Sequence, residues 1–147
     1  MSLPRIAKML CLDGERVSGA SMASYAAIEK KLRLTGKPYC VVSAWILIDV
    51  EGVDPVVTQG THLMPAVMYV HHVLSHSSGQ LSEGDSVMTG YATYMDPAGI
   101  FETVDTVYIL LSHGFRKSAD IETVSAAQAQ ANRMASVSYS ASGLLDE

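Results

Sequence analysis

The chain has 147 residues, of which 48% are apolar and 17% charged, and its formal net charge is −5. That length fits one domain, and the charge content excludes a disordered chain. Two cysteines exclude a disulfide-dense scaffold or a Cys-rich zinc module, and five prolines with eleven glycines exclude collagen-like or linker character.

Taken in order, residues 1–17 hold a short turn or helix, with Asp13-Gly14 as a turn signal. Residues 20–35 read as a helix, because Tyr25, Ile28 and Leu32 form one apolar stripe that Lys30, Lys31 and Arg33 avoid. Gly36 and Pro38 end it. Residues 39–49 read as a central strand, β-branched and aromatic with few polar positions on either face. Residues 50–65 read as a loop.

The stretch 66–76 fits a strand or a helix, and its β-branched and aromatic content favours the strand. Residues 86–94 and 101–111 are further strands, separated by the turn Asp96-Pro97-Ala98-Gly99. Short spacings between them suggest an antiparallel meander. Residues 118–135 read as a second helix, capped by Ser118 or Asp120. The expected fold is a single α+β domain over 1–136: a mainly antiparallel sheet of about four or five strands with an N-terminal and a C-terminal helix. The Ser-rich stretch 137–147 is expected to be a flexible tail.

No apolar run approaches the roughly 20 residues of a membrane span. Val41–Val50 is interrupted by Ser43 and Asp49, and Met9–Leu12 is too short for a signal sequence. The expectation is a soluble, cytoplasmic protein with reduced Cys11 and Cys40, the latter a small core residue.

Charge is unevenly spread. Residues 1–37 carry seven bases and three acids, whereas residues 38–115 carry eight acids and no Lys or Arg. Such a segment sets up a negative field that repels nucleic acid and attracts basic protein surfaces. The bland alternative is that the basic helix packs against the acidic sheet and neutralises it. Nucleic-acid binding would rest on Lys30, Lys31, Arg33 and Lys37 alone, a pattern usual for a solvated helix face.

All five histidines, His62, His71, His72, His76 and His113, lie in the acidic segment. In a strand, His72 and His76 sit about 13 Å apart, too far for one metal. In a helix they would be neighbours, and Asp85 could complete a metal site. Ser112-His113 and Ser75-His76 place serine beside histidine, but adjacent strand residues point apart. No phosphate-binding glycine motif and no nucleophile-elbow motif occurs. Tyr91 and Tyr94, near Met88 and Met95, suit either a binding patch or a partly buried sheet edge.

One set of segments resembles a known family. They are Pro38-Tyr39-Cys40-Val41-Val42 with Trp45, then Val70-His71-His72-Val73, then Gly84-Asp85-Ser86-Val87-Met88-Thr89. Phe101-Glu102-Thr103-Val104-Asp105-Thr106-Val107-Tyr108-Ile109-Leu110-Leu111 and Gly114-Phe115-Arg116-Lys117 complete it. Over residues 38–117 the chain resembles a small family of uncharacterised proteins of proteobacteria and their phages, a domain of unknown function. Ser86, Met88 and Thr89 depart from the Trp and Arg of that family's Gly-Asp turn. The resemblance implies a bacterial or phage origin and carries no activity. Small acidic phage proteins often bind and block host proteins, defence complexes included, which suggests the same by analogy.

The leading expectation is a non-enzymatic binding module for a protein partner with a basic surface. Glu83, Asp85, Tyr91, Tyr94, Asp96, Glu102 and Asp105 are its candidate contacts, and no cofactor is expected. One alternative is a small metal-dependent or His/Asp-based hydrolase, using His71, His72, His76 or His113 with Asp85 or Glu102. Its metal ligands would be His72, His76 and Asp85. A second alternative is a self-associating structural protein, hence a homo-oligomer.

Overall fold

In the computed structural model, residues 3–131 are described. The expected tail 137–147 and the far end of the expected second helix lie outside them. The elements are α1 (Leu3–Met9), β1 (Glu15–Ser18), α2 (Met22–Arg33), β2 (Tyr39–Glu51), α3 (Pro55–Thr58) and β3 (Ala66–His76). They continue as β4 (Val87–Met88), β5 (Tyr94–Asp96), β6 (Ile100–Glu102), β7 (Val107–Leu110) and β8 (His113–Asp120). A helix α4 then covers 121–131. The α+β class, the central strand and both major helices agree with the sequence, and 66–76 is a strand.

α2 starts where its chemistry says it should. The Ser21 hydroxyl accepts from the Ser24 amide, and the Ser24 hydroxyl accepts from the Ser21 amide, a reciprocal cap. Within the expected loop 50–65, Asp54 caps the single turn α3 by accepting from the Val56 amide.

The sheet is mixed and has eight strands, a correction to the expected antiparallel sheet of four or five. β2 pairs antiparallel with β3 on one edge. On its other edge it runs parallel to β7 along its first part and to β8 along its second. The parallel pairs follow from closure. β2, β3, the segment 87–96, β6 and β7 reverse direction one after another. The segment 87–96 holds both sides: the Thr89 and Ala92 amides donate to the Met68 and Ala66 carbonyls of β3. The next amide, Thr93, donates to Glu102 of β6. Five reversing strands brought round on themselves necessarily leave one parallel contact, and it falls between β2 and β7. β1 adds antiparallel to the outer edge of β8.

The expected strand 101–111 is broken. Its Thr103 and Thr106 are β-branched, yet Asp105 accepts from both hydroxyls and the Thr103 amide donates to the Thr106 carbonyl. Local side-chain bonds make a turn there and override strand propensity. The expected strand 86–94 survives as β4 and the first residue of β5, because the stretch between them crosses from β3 to β6.

Three apolar clusters follow from this curl. Inside lie Cys40, Val42, Trp45, Leu47, Met68, Val70, Phe101 and Tyr108. On the outer face, α2 packs Tyr25, Ile28 and Leu32 onto Val41, Ile100, Ile109 and Leu111. Further along, α1 and α4 pack Ile6, Met9, Val124 and Ala127 onto Ile46, Ile48, Val50 and Val67. Each fully buried Val, Ile, Met or Phe contributes roughly 1.5–3 kcal/mol by leaving water.

β2 serves all three clusters only because it changes phase. Cys40 and Val42 point inward, then Trp45 and Leu47 do. Strict alternation would have put residue 44 inside and Trp45 outside. Ala44, at φ 53°, absorbs the slip. Trp45 is fully buried, and its Nε1–H donates to the Leu111 carbonyl at 3.0 Å. Gly114 lies against the indole, where a Cβ would overlap the ring.

Gly114→Ala should therefore cost about 3 kcal/mol or more, because neither the strand nor the indole has room to yield. Ala44→Gly should stabilise by about 1 kcal/mol, since an L side chain is disfavoured at positive φ. Urea unfolding of both variants checks this pair of opposite signs; equal or inverted effects would refute the phase-slip account.

Candidate functional site

The histidines do not converge. His71 Nε2 sits 2.6 Å from the Leu10 carbonyl, so it carries the proton and donates, tying β3 to the end of α1. His76 Nδ1 accepts from the Ser78 amide at 3.2 Å and lies 3.0 Å from the Ser78 hydroxyl. Desolvation holds the His76 pKa below its ordinary value. Arg16 donates to His113 Nδ1 at 3.3 Å, across the β1–β8 pair. With 66–76 a strand, the helical spacing that would join His72 to His76 is lost. Among the described residues no three His, Cys, Asp or Glu side chains gather as metal ligands.

The acids of the base-free segment divide into two groups. Two are neutralised by bases from outside it: Lys37 meets Glu102 at 2.7 Å, and Arg116 grips Asp49 through two bonds of 2.8 Å. This pairing raises the Arg116 pKa. No other acid of the segment has a Lys or Arg within 4.0 Å among the described residues. Several of these shape turns instead. Asp85 accepts from the Ser82 amide at 2.8 Å and Asp96 from the Ala98 amide at 2.7 Å.

The candidate contacts fall in three places. Glu83 and Asp85 lie in the loop between β3 and β4. Tyr91 packs against the cluster under α1 and α4. Tyr94, Asp96, Glu102 and Asp105 belong to one corner. Tyr94 stands opposite Glu102 in the β5–β6 register, and Asp96 opposite Ile100. Because Ile100 packs under α2 while Phe101 points inside, Tyr94, Asp96 and Glu102 share the outer face with α2.

The Tyr94 hydroxyl donates to Asp96 at 2.8 Å. The Ala98 amide first, and then Tyr94, hold the Asp96 carboxyl below its usual range. That bond and the Asp96 charge push the Tyr94 phenol up. The corner is therefore anionic, with two solvated apolar groups: Tyr94 is 49% exposed and Val104 75%.

Two members of this surface escaped sequence reading. Val104 falls within the expected strand 101–111, although the Thr-Val-Asp-Thr order is an available turn signal. Leu34, 87% exposed, follows α2 and falls off its apolar stripe. Lys37 joins the two: its ammonium donates to Glu102 and to the Thr103 carbonyl at 2.8 Å.

Elsewhere, the sites that could have suggested chemistry are occupied structurally. Burial pushes the Cys40 thiol up to about 11, which keeps it protonated. Buried Thr89 accepts from the Met68 amide and donates to the Gly90 carbonyl. Among the described residues no buried side-chain nitrogen or oxygen lacks a partner.

The family model of a domain of unknown function, DUF6957, matches residues 16–126. The chain belongs to that family. The match extends the resemblance seen over 38–117 back into β1 and on into α4, so it takes in both halves of β2 and all its partners. α1 precedes it. Neither among curated proteins nor among solved structures was a match found. No helix among the described residues of this DUF6957 chain is long and apolar enough to cross a membrane.

The lowered carboxyls set a pH dependence. Asp120 is held low by the Thr123 hydroxyl and then its amide, at the start of α4. A group whose folded pKa is depressed binds fewer protons when folded. The stability from Asp96 and Asp120 is thus full above about pH 4 and lost as pH falls through their lowered values. The lowered His76 adds a loss in the same direction that begins near pH 6.5. Unfolding midpoints measured downward from neutral pH should fall in those two windows. Asp96→Asn and Asp120→Asn should flatten the acidic one; a midpoint unchanged down to pH 3 would contradict the assignment.

Proposed function

We propose that this DUF6957 chain is a non-enzymatic protein-binding module that engages its partner through the β5–β6 corner. The observation that carries the proposal is the joint exposure of Tyr94 and Val104 beside Asp96 and Asp105, acids with no Lys or Arg within 4.0 Å among the described residues. Exposed apolar side chains ringed by one sign of charge suit a partner surface of the opposite sign. An aromatic anchor supplies contact area, and the carboxylates supply steering and register. Asp96, held ionised by its two hydrogen bonds, keeps that charge through the neutral range. The mechanism is steric and electrostatic occlusion of a basic surface.

Pairing and packing of some of the candidate contacts support a smaller acidic face. Glu102 and Asp49 are paired with Lys37 and Arg116, bases that lie outside the helix α2, which leaves fewer acids of the segment free for a partner. Glu83 and Asp85 sit in another loop and Tyr91 is packed, so the binding surface is smaller than the charge count alone implies. A narrower form of the proposal, a phage- or prophage-encoded inhibitor of a host defence protein, rests on the analogy with small acidic phage proteins.

Tagged chain used as bait in nuclease-treated bacterial lysate should retain a stoichiometric partner at low salt and release it at high salt. Tyr94→Ser should weaken capture at least tenfold, as loss of an anchor does. A partner held equally by wild type and Tyr94→Ser, at either salt, would refute the corner as the site.

A further inference from the structure

The corner does not stand alone on the outer face. Beside it runs α2, and the two differ in sign. The one acid of α2, Glu29, accepts from Tyr25 at 2.7 Å and from Arg33 at 2.9 Å. Lys30 and Lys31 are exposed and have no acidic partner among the described residues. Past them Leu34 stands in solvent, and Ala23 and Ala27 extend the outward face without bulk.

The two halves are joined at both ends. Gly99, before β6, lies against Ala20, before α2, closely enough that a Cβ would overlap it. At the other end, Lys37 bonds to Glu102 and Thr103. Leu34 lies three residues before that junction, Val104 directly after it, and Tyr94 opposite Glu102. The outer face thus carries a cationic strip on α2, an anionic strip on β5–β6, and exposed apolar groups with each.

We infer that the partner surface of this face is the same face of a second copy of this chain. The inference rests on the proposed binding corner and names its occupant. A twofold axis between the strips sets Lys30 and Lys31 of each copy against Asp96 and Asp105 of the other. One operation satisfies both sets of charges, as an isologous interface requires. Leu34, Tyr94 and Val104 then leave water near the axis, where apolar anchors contribute most. The basic partner that the acidic corner calls for is present on the chain itself. The charge asymmetry read from the sequence, bases in residues 1–37 and acids in 38–115, is what builds both strips.

Sedimentation equilibrium or light scattering on the full chain tests this across concentration and at two salt levels. The expected result is a dimer that weakens as salt rises. Leu34→Glu and the double change Lys30→Glu with Lys31→Glu should each raise the dissociation constant at least tenfold. Both leave the far-UV circular dichroism of the folded monomer unchanged, since these side chains are solvated, and the lysine change lowers its melting point only slightly, by opposing the dipole at the end of α2. Val56→Glu alters an equally exposed apolar residue, 77% exposed on α3, and should leave the dimer intact.

A chain monomeric up to millimolar concentration overturns the inference. So does a dimer that survives the Leu34 and lysine changes, or one broken as much by Val56→Glu. If the chain is monomeric yet captures a foreign partner that Tyr94→Ser releases, the binding corner stands and the second copy falls. If a captured partner ignores Tyr94→Ser while a dimer obeys the variants above, the self-interface stands and the foreign-partner corner falls.

Discussion

The structure turns on the burial of Trp45. Its indole lies inside the curled sheet, bonded to the Leu111 carbonyl and pressed against Gly114. To bring it there, β2 slips one residue out of alternation at Ala44, in a left-handed conformation that an alanine does not choose unaided. The slip lets one long strand feed an inner cluster and two different outer ones. Ser112, also at positive φ (66°), marks the corresponding break between β7 and β8. Both strands bend at one level, and the indole fills the space at the bend. The chain stores local backbone strain there and recovers it from the burial of its largest side chain.

That bend decides where charges stand. The first part of β2 lies under α2 and carries β7 and β6 beside it, and the second part lies under α1 and α4. Bases from the flanks reach acids at both ends, Lys37 at Glu102 and Arg116 at Asp49. At partly exposed pairs like these the gain is modest, and their main consequence is orientation. Lys37 fixes the end of α2 to the end of β6, and so brings a cationic helix face alongside an anionic hairpin. A further clamp works on α1: Lys117 donates to the Lys8 and Cys11 carbonyls and meets Asp13, while His71 donates to Leu10. His71, a candidate of the hydrolase reading, and Lys117 thus cap one short helix from a distance.

Much of the fold was legible because local rules and burial agreed. The stripe Tyr25, Ile28, Leu32 predicted α2 and the face it buries, and the Val- and Ile-rich run predicted β2 as the central strand. Prediction failed where side-chain bonds at short range beat propensity. Asp105 gathers Thr103 and Thr106 into a turn and so exposes Val104, which a strand would have buried on one face. The candidate site was legible in half. Tyr94, Asp96 and Asp105 were named from sequence, but Glu102 is neutralised and Tyr91 packed, because their partners lie far away along the chain.

Sequence by itself determined the α+β class, the two main helices, the central strand and the segregation of bases from acids. All of these depend on residue type and on spacing within one element. It could not determine that an odd number of reversing strands would close on itself, because closure is a property of long-range pairing; that closure makes β7 parallel to β2. Nor could it determine which acids keep their charge uncompensated. A carboxylate's partner is chosen by distance in space, and Lys37 meets Glu102 across 65 positions of chain.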